Sequence, residues 1–290
     1  MKKWLLCLVT VILIFSILLT ADNISKHKAI YQQDFILTGE GCLILNYHRI
    51  RTSGPLIKLI DRWIIFFTKD PELMLYSIYE DEFKKQIAYL IDRGYHFITP
   101  DELKGYLYNS IDIPKKSVLI TFDDVDVSVY DNAFQFLLEK QIPFTLFIIT
   151  GDVGNLDFKG LELTSWNQIR EMKNSGLATI GIHTHQMHEL DKQNNPPFFY
   201  DENLEDFIKD TKLAIESIEV NLGVNSIYYA YAYGFGTPKT DEILLDLGCE
   251  LIFTLRPGIV ERGDPSYFIK RVLVSKYSWS NVVEWVKMSD

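Results

Sequence analysis

The chain has 290 residues, 47% of them hydrophobic and 23% charged, proportions ordinary for a globular protein able to bury a full core as one large domain or two small ones. Its net charge of −10, with no basic stripe, argues against a nucleic-acid partner. An acidic surface suits a neutral or cationic polymer better than an anionic one, though the same charge also serves solubility.

Lys2 and Lys3 precede an apolar run from Trp4 to Leu19, broken only by Thr10 and Ser16. This is the layout of an export signal with a cytoplasmic N-terminus. Leu19 and Ala21 fit a cleavage site poorly, so residues 1–21 read as a signal-anchor or transmembrane segment. Cys7 lies inside the run and does not look like a lipoprotein cysteine. Residues 22–40 are polar and read as a tether, and residues 41–290 as one catalytic domain, placed at the extracellular face or secreted. Cys42 and Cys249 are expected to be buried thiols.

Cys42 to His48 reads as a buried strand. Leu56 to Phe67 follows it and is too apolar for a loop. Carrying Lys58 and Arg62 and followed by Lys69, it reads either as an interfacial segment lying on a membrane across residues 55–70 or as a helix buried against the domain. Phe83, Ile87, Leu90 and Ile91 have helical spacing, closed by Gly94. A strand at His96–Thr99, a helix from Pro100 and a strand at Ser117–Phe122 come next. A helix through Ala133–Leu138, a strand at Pro143–Thr150, a helix capped by Thr164 or Ser165 and a strand at Ala178–Ile182 continue the pattern. Then come a long helix carrying Leu204 to Ile215, a strand at Ile227–Tyr233 and a helix closed by Gly248. Strands at Glu250–Leu255 and Phe268–Ser275 and a helix at Val282–Met288 finish the chain. Such alternation predicts an α/β fold, a closed or distorted (β/α) barrel of about seven units, with its chemistry at the carboxyl ends of the strands.

His48, Asp123, Asp124, His183 and Tyr233 all fall at expected strand ends. Adjacent carboxylates after an apolar strand are costly unless a cation or hydrogen bonds offset them. One can ligate a metal while the other serves as a base, although a helix N-terminus would also favour the pair. His183 and His188 lie five apart, and a strand-to-loop turn could fold both onto one ion. A divalent ion there would activate water, with Asp123 taking its proton and His48 as the best candidate acid.

These strings carry a resemblance. Thr121-Phe122-Asp123-Asp124, His183-Thr184 with His188 downstream, and Ala230-Tyr231-Ala232-Tyr233-Gly234 resemble the polysaccharide deacetylase family. Asn46-Tyr47-His48-Arg49 resembles its circularly permuted branch, which acts on poly-β-1,6-N-acetylglucosamine. The resemblance runs from about Cys42 onward. It implies a distorted barrel hydrolysing N-acetyl groups, with Asp123 as base and His48 as acid. Asp124, His183 and His188 would hold one divalent ion, Zn²⁺ first among candidates that include Ni²⁺, Co²⁺ and Fe²⁺. Thr184 would brace the loop or touch acetate, and the Tyr233 N–H would face the oxyanion. Arg271 could grip Asp123 by a bidentate contact or form a plain surface ion pair. A monomer acting on the polymer is expected. Two departures stand out: Ala232 where members usually have Pro, and Tyr228 and Tyr229 where many have Arg. A peptidoglycan or chitin-like substrate, a glycan-binding relative without activity, and a metal-dependent phosphoesterase are the competing readings.

Overall fold

A curled mixed sheet of nine strands forms the centre of the molecule. The computed structural model describes residues 35–108 and 110–288, so the signal-anchor expected at 1–21 and most of the tether at 22–40 lie outside the described residues. Strand β1 (Cys42–Tyr47) pairs in parallel with β5 (Ser117–Asp124) from Cys42↔Ser117 to Tyr47↔Phe122. On the other edge of β5, β4 (His96–Phe97) takes the start of the strand and β6 (Phe144–Ile148) its end. The order continues through β7 (Ala178–Ile182), β8 (Tyr228–Ala230) and β9 (Leu251–Phe253), all parallel. Only β10 (Ile259–Val260) runs antiparallel, against the start of β1, while β11 (Val272–Leu273) lies parallel to its end. A bridge from Phe253 to Ile269, just ahead of β11, links β9 towards β1 and curls the sheet into a distorted barrel.

All eight residues of β5 are buried, as expected of a parallel strand covered on both faces. Phe122 packs among Tyr47, Phe83 and Phe144, and burying a side chain of that size contributes about 2–3 kcal/mol. Helices α3 (Glu80–Asp92), α4 (Pro100–Leu107) and α6 (Trp166–Asn174) connect the strands, as do α7 (Leu204–Leu222) and α8 (Pro238–Asp246); α9 (Trp279–Met288) follows β11. Ser165 supplies the cap of α6 through a capping box with Gln168. Between β6 and β5, α5 (Gln135–Lys140) follows a π-helical turn at Val129–Phe134. Cys42 and Cys249 are free buried thiols.

The excursion after β1 is more structured than its composition suggests. Strands β2 (Arg49–Arg51) and β3 (Ser77–Tyr79) pair in parallel and tie its two ends together. Between them lie α1 (Pro55–Thr68) and α2 (Pro71–Leu75). Helix α1 is turned inside out: its one buried residue is Asp61, which takes Arg51 Nε and Nη2 at 3.2 and 2.9 Å and the Tyr79 hydroxyl at 2.9 Å. Leu56, Trp63 and Phe66 are 68%, 57% and 65% exposed. Of the two readings of this segment, the buried one is excluded.

Strand β8 stops at Ala230, three residues before the expected end. The chain turns there because Tyr233 and Gly234 adopt left-handed backbone, at φ 60° and 82°.

Candidate active site

Strand alternation would send Asp123 and Asp124 to opposite faces of the sheet. The backbone prevents this: Asp124 and Val125 both take left-handed φ, at 63° and 62°, and the Val125 N–H returns to the Asp123 carbonyl at 2.7 Å. A β-branched residue at positive φ costs of order 1–3 kcal/mol, and here the distortion brings both carboxylates to one cleft.

The Asp123 carboxylate is gripped by Arg271, with Nη1–Oδ1 at 2.7 Å and Nη2–Oδ2 at 2.8 Å. Arg271 is fully buried, which excludes a surface ion pair, and its Nε donates to the Thr254 carbonyl at 2.9 Å. Phe147 and Phe253 flank the guanidinium at 5.3 and 5.8 Å. Burial alone would raise the Asp123 carboxyl, but Arg271 and then His183 outweigh it and hold the group below its usual range. Asp123 is therefore an anion at neutral pH.

At the end of β7, His183 Nδ1 donates to the Ala230 carbonyl at 2.7 Å, which fixes the tautomer and leaves Nε2 with a free lone pair. That Nε2 lies 3.5 Å from Asp124 Oδ1, and His188 Nε2 lies 3.1 Å from the same oxygen. One ligand atom from each of Asp124, His183 and His188 falls within 4.8 Å of the others. Asp124 Oδ1 is buried, and although His188 Nε2 is near, the two are not aligned as a hydrogen bond, so the oxygen is left facing both imidazole nitrogens. Burial lowers the His183 pKa and keeps the ring neutral. Burial opposes ionisation of Asp124, yet His188 and then His48 hold it well below the usual carboxylate range. Two neutral-capable imidazoles, a carboxylate and an orphaned buried oxygen fit a divalent ion.

The remaining expected residues divide. His48 lines the same cleft, 7% exposed, with burial pushing its imidazole down to about 4 from 6.5 while Asp124 and Asp123 pull it back up. Tyr233 lines it too, its ring 4.8 Å from that of His188. Ala232, in the position usual for Pro, begins the short turn that presents Tyr233. Thr184 is fully buried and outside the cleft lining; its φ of 75° turns the chain after His183, and its carbonyl accepts from the Thr150 N–H at 3.1 Å. His185 faces away, with Nδ1 2.9 Å from Thr150 Oγ1.

Several participants escape sequence reasoning. Arg49 is buried 4.0 Å from Asp124 and pairs with Glu72, and Glu72 and Tyr76 enter the cleft from the excursion. Tyr76 packs on His48 at 4.9 Å. No pattern in the excursion marks Glu72 and Tyr76, while Arg49 stands in the Asn46-to-Arg49 string with no role of its own assigned. Asp210 carried a signal: it follows Phe207 by one turn, on the buried face of α7. Its two oxygens take the N–H groups of His185 and Gln186, both at 2.7 Å, and so set the loop between the two histidines. Asp210→Ala is expected to weaken affinity for a divalent ion by about 10-fold or more, measured by competition with a chelator, because such supporting contacts orient ligands. An unchanged affinity would remove Asp210 from the site.

A larger cavity, about 660 Å³ and lined in part by Gly41, Tyr95, Lys116 and Trp285, lies at the amino-terminal ends of β1 and β5. It contains none of these groups.

A polysaccharide deacetylase family model matches residues 110–252. The chain is 35% identical over 244 residues to a poly-β-1,6-N-acetyl-D-glucosamine N-deacetylase of Staphylococcus epidermidis, covering 84% of this chain and 82% of that protein. It is 31% identical over 266 residues to the protein of that name from Staphylococcus aureus, covering 91% and 87%. The solved structure of IcaB from Ammonifex degensii superposes with a TM-score of 0.77 at 39% identity, covering 87% of this chain and all of that one.

Proposed function

The chain belongs to the polysaccharide deacetylase family of metal-dependent hydrolases, and from that membership we propose that it removes N-acetyl groups from poly-β-1,6-N-acetyl-D-glucosamine. The observation that carries the reading is the convergence of Asp124, His183 and His188 beside the Arg271-held Asp123, in a chain similar over 84% of its length to an N-deacetylase of that polymer. Residues 41–290 then act as one catalytic domain.

Asp124, His183 and His188 would hold the ion, with Zn²⁺ the first candidate. A bound divalent ion lowers the pKa of water and polarises the amide carbonyl. Asp123 is the base: Arg271 occupies one lone pair on each oxygen and aims the carboxylate, leaving capacity to accept the proton that water loses on attacking the carbonyl carbon. The Tyr233 backbone N–H would face the oxygen that gains charge. As the C–N bond breaks, His48 gives a proton to the leaving nitrogen, and acetate and a free amine remain. Burial outweighs the two carboxylates and keeps the resting His48 ring neutral, so the negative charge developing on the substrate is what favours its protonated, donating form. Thr184 braces the turn between the histidines rather than reaching the substrate.

The test is acetate release from oligomers of β-1,6-linked N-acetylglucosamine, chitin-like β-1,4 chains and peptidoglycan fragments. Preference for the β-1,6 chain is expected. Equal or greater release from either of the others would reassign the substrate.

Residues 1–21 would anchor the chain with its catalytic domain on the extracellular face, and α1 would add a contact with the membrane surface. No described helix is long and apolar enough to cross a membrane. Helix α1 instead offers an exposed strip in which Trp63 stacks on Phe67 at 5.7 Å. Exposed apolar area of this kind marks an interaction surface. Trp63→Glu with Phe66→Glu should reduce co-sedimentation of residues 35–290 with phospholipid vesicles severalfold; undiminished binding would refute the contact.

A further inference from the structure

Between β6 and α6 a tight hairpin hangs over the His188 side of the cleft. Phe158 and Leu161 exchange backbone hydrogen bonds at 2.7 and 3.0 Å, so Lys159 and Gly160 form a two-residue turn. Both have positive φ, 54° and 84°. The glycine suits that backbone and the lysine does not. Phe158 is buried against the His188 ring at 5.7 Å, which pins the hairpin to a proposed metal ligand. Lys159 Nζ donates to the His188 carbonyl and lies 3.3 Å from the Tyr233 hydroxyl. Burial works against its charge while Asp124, Glu189 and Asp152 favour it, and among the described residues no carboxylate stands within ion-pair distance of it. A cation with no direct ion pair, and with only longer-range carboxylates around it, is thus fixed at the rim of the reacting centre in a conformation its own residue type disfavours.

We propose that Lys159 is a charge filter: it repels sugar units whose nitrogen is already free, so that the cleft accepts N-acetylated units and releases the product. The inference rests on the deacetylase reading of the site. Substrate and product differ at this point by one charge, because the acetamide is neutral and the amine protonates. Two positive charges separated by a few ångströms at a half-exposed rim cost enough to change affinity about fivefold, and salt weakens the effect. The filter favours reaction where neighbouring units are still acetylated, which gives the enzyme a say in the spacing of free amines along the polymer. Lys159 is a specificity residue and takes no part in proton transfer.

The experiment compares full-length wild type, Lys159→Gln and Lys159→Arg, each loaded with Zn²⁺. Inhibition by a fully deacetylated β-1,6-glucosamine oligomer is measured beside acetate release from the fully acetylated one, at low and high salt. Binding of the deacetylated oligomer is also followed directly by calorimetry, which does not depend on turnover. Lys159→Gln should bind the amine oligomer about fivefold more tightly than wild type, with a smaller difference at high salt. Lys159→Arg should behave as wild type. Equal binding by wild type and Lys159→Gln would overturn the filter, as would an equal loss of binding to both oligomers, which marks a brace for the hairpin. Absence of acetate release from every wild-type sample would instead count against the deacetylase reading, with the calorimetric comparison still deciding the role of Lys159.

Discussion

Replacing Arg271 with leucine is expected to destabilise the metal-free protein by about 3–5 kcal/mol, read from chemical denaturation. The figure is that for removing one partner of a buried ion pair, which leaves the other charge uncompensated. Asp123 is 1% exposed and both its oxygens depend on Arg271. The pH dependence should invert locally. In the wild type the Asp123 pKa is depressed, so the carboxylate contributes stability above the ordinary carboxylate range, lost as pH falls through its lower folded value. In Arg271→Leu, burial dominates and raises that pKa, so stability from this site should fall as pH rises from about 4 towards 7. Adding Asp123→Asn should recover part of the loss. A variant as stable as wild type, with the same pH profile, would show that the pair contributes nothing to the fold.

Asp123→Asn is the second large effect: kcat should fall by about 10²- to 10⁴-fold, the range for losing a positioned general base. Binding of the divalent ion should stay close to wild type, because the asparagine is not among Asp124, His183 and His188. Loss of activity together with loss of the ion would instead place Asp123 among the ligands. Combining Asp123→Asn with His48→Ala should cost much less than the product of the single effects, since base and acid act in one reaction.

The residues that form the site are of types rarely spent without reason, which is why so much of it is legible in the chain. Two carboxylates after an apolar strand and three imidazoles in six residues identify the right segments. The geometry that joins them is less visible. Nothing about Asp124-Val125 signals two left-handed residues, because a valine at positive φ is sterically disfavoured and is held there only by its surroundings. The same holds at Tyr233, where an apolar run reads on as strand although the backbone has already turned. Arg271 is legible as a partner of Asp123 but not as a core residue, since its burial depends on Phe147 and Phe253 arriving from other strands. In α1 the apolar composition is plain, while its exposure is not. A single Asp61, taken by Arg51 and Tyr79, decides which face turns inward. Strands as short as β2, β3 and β10 leave no periodic signal, so the tie that brings Glu72 and Tyr76 to the cleft emerges only from the fold.

The most direct test of the central claim is a Zn²⁺ titration of chelator-stripped full-length protein, followed by acetate release from β-1,6-N-acetylglucosamine oligomers. Activity should be absent at the start, rise linearly, and saturate at one ion per chain, with His183→Ala failing to recover at that stoichiometry. Full activity in the stripped protein, or an unimpaired His183→Ala titration, would contradict a hydrolase built on Asp124, His183 and His188.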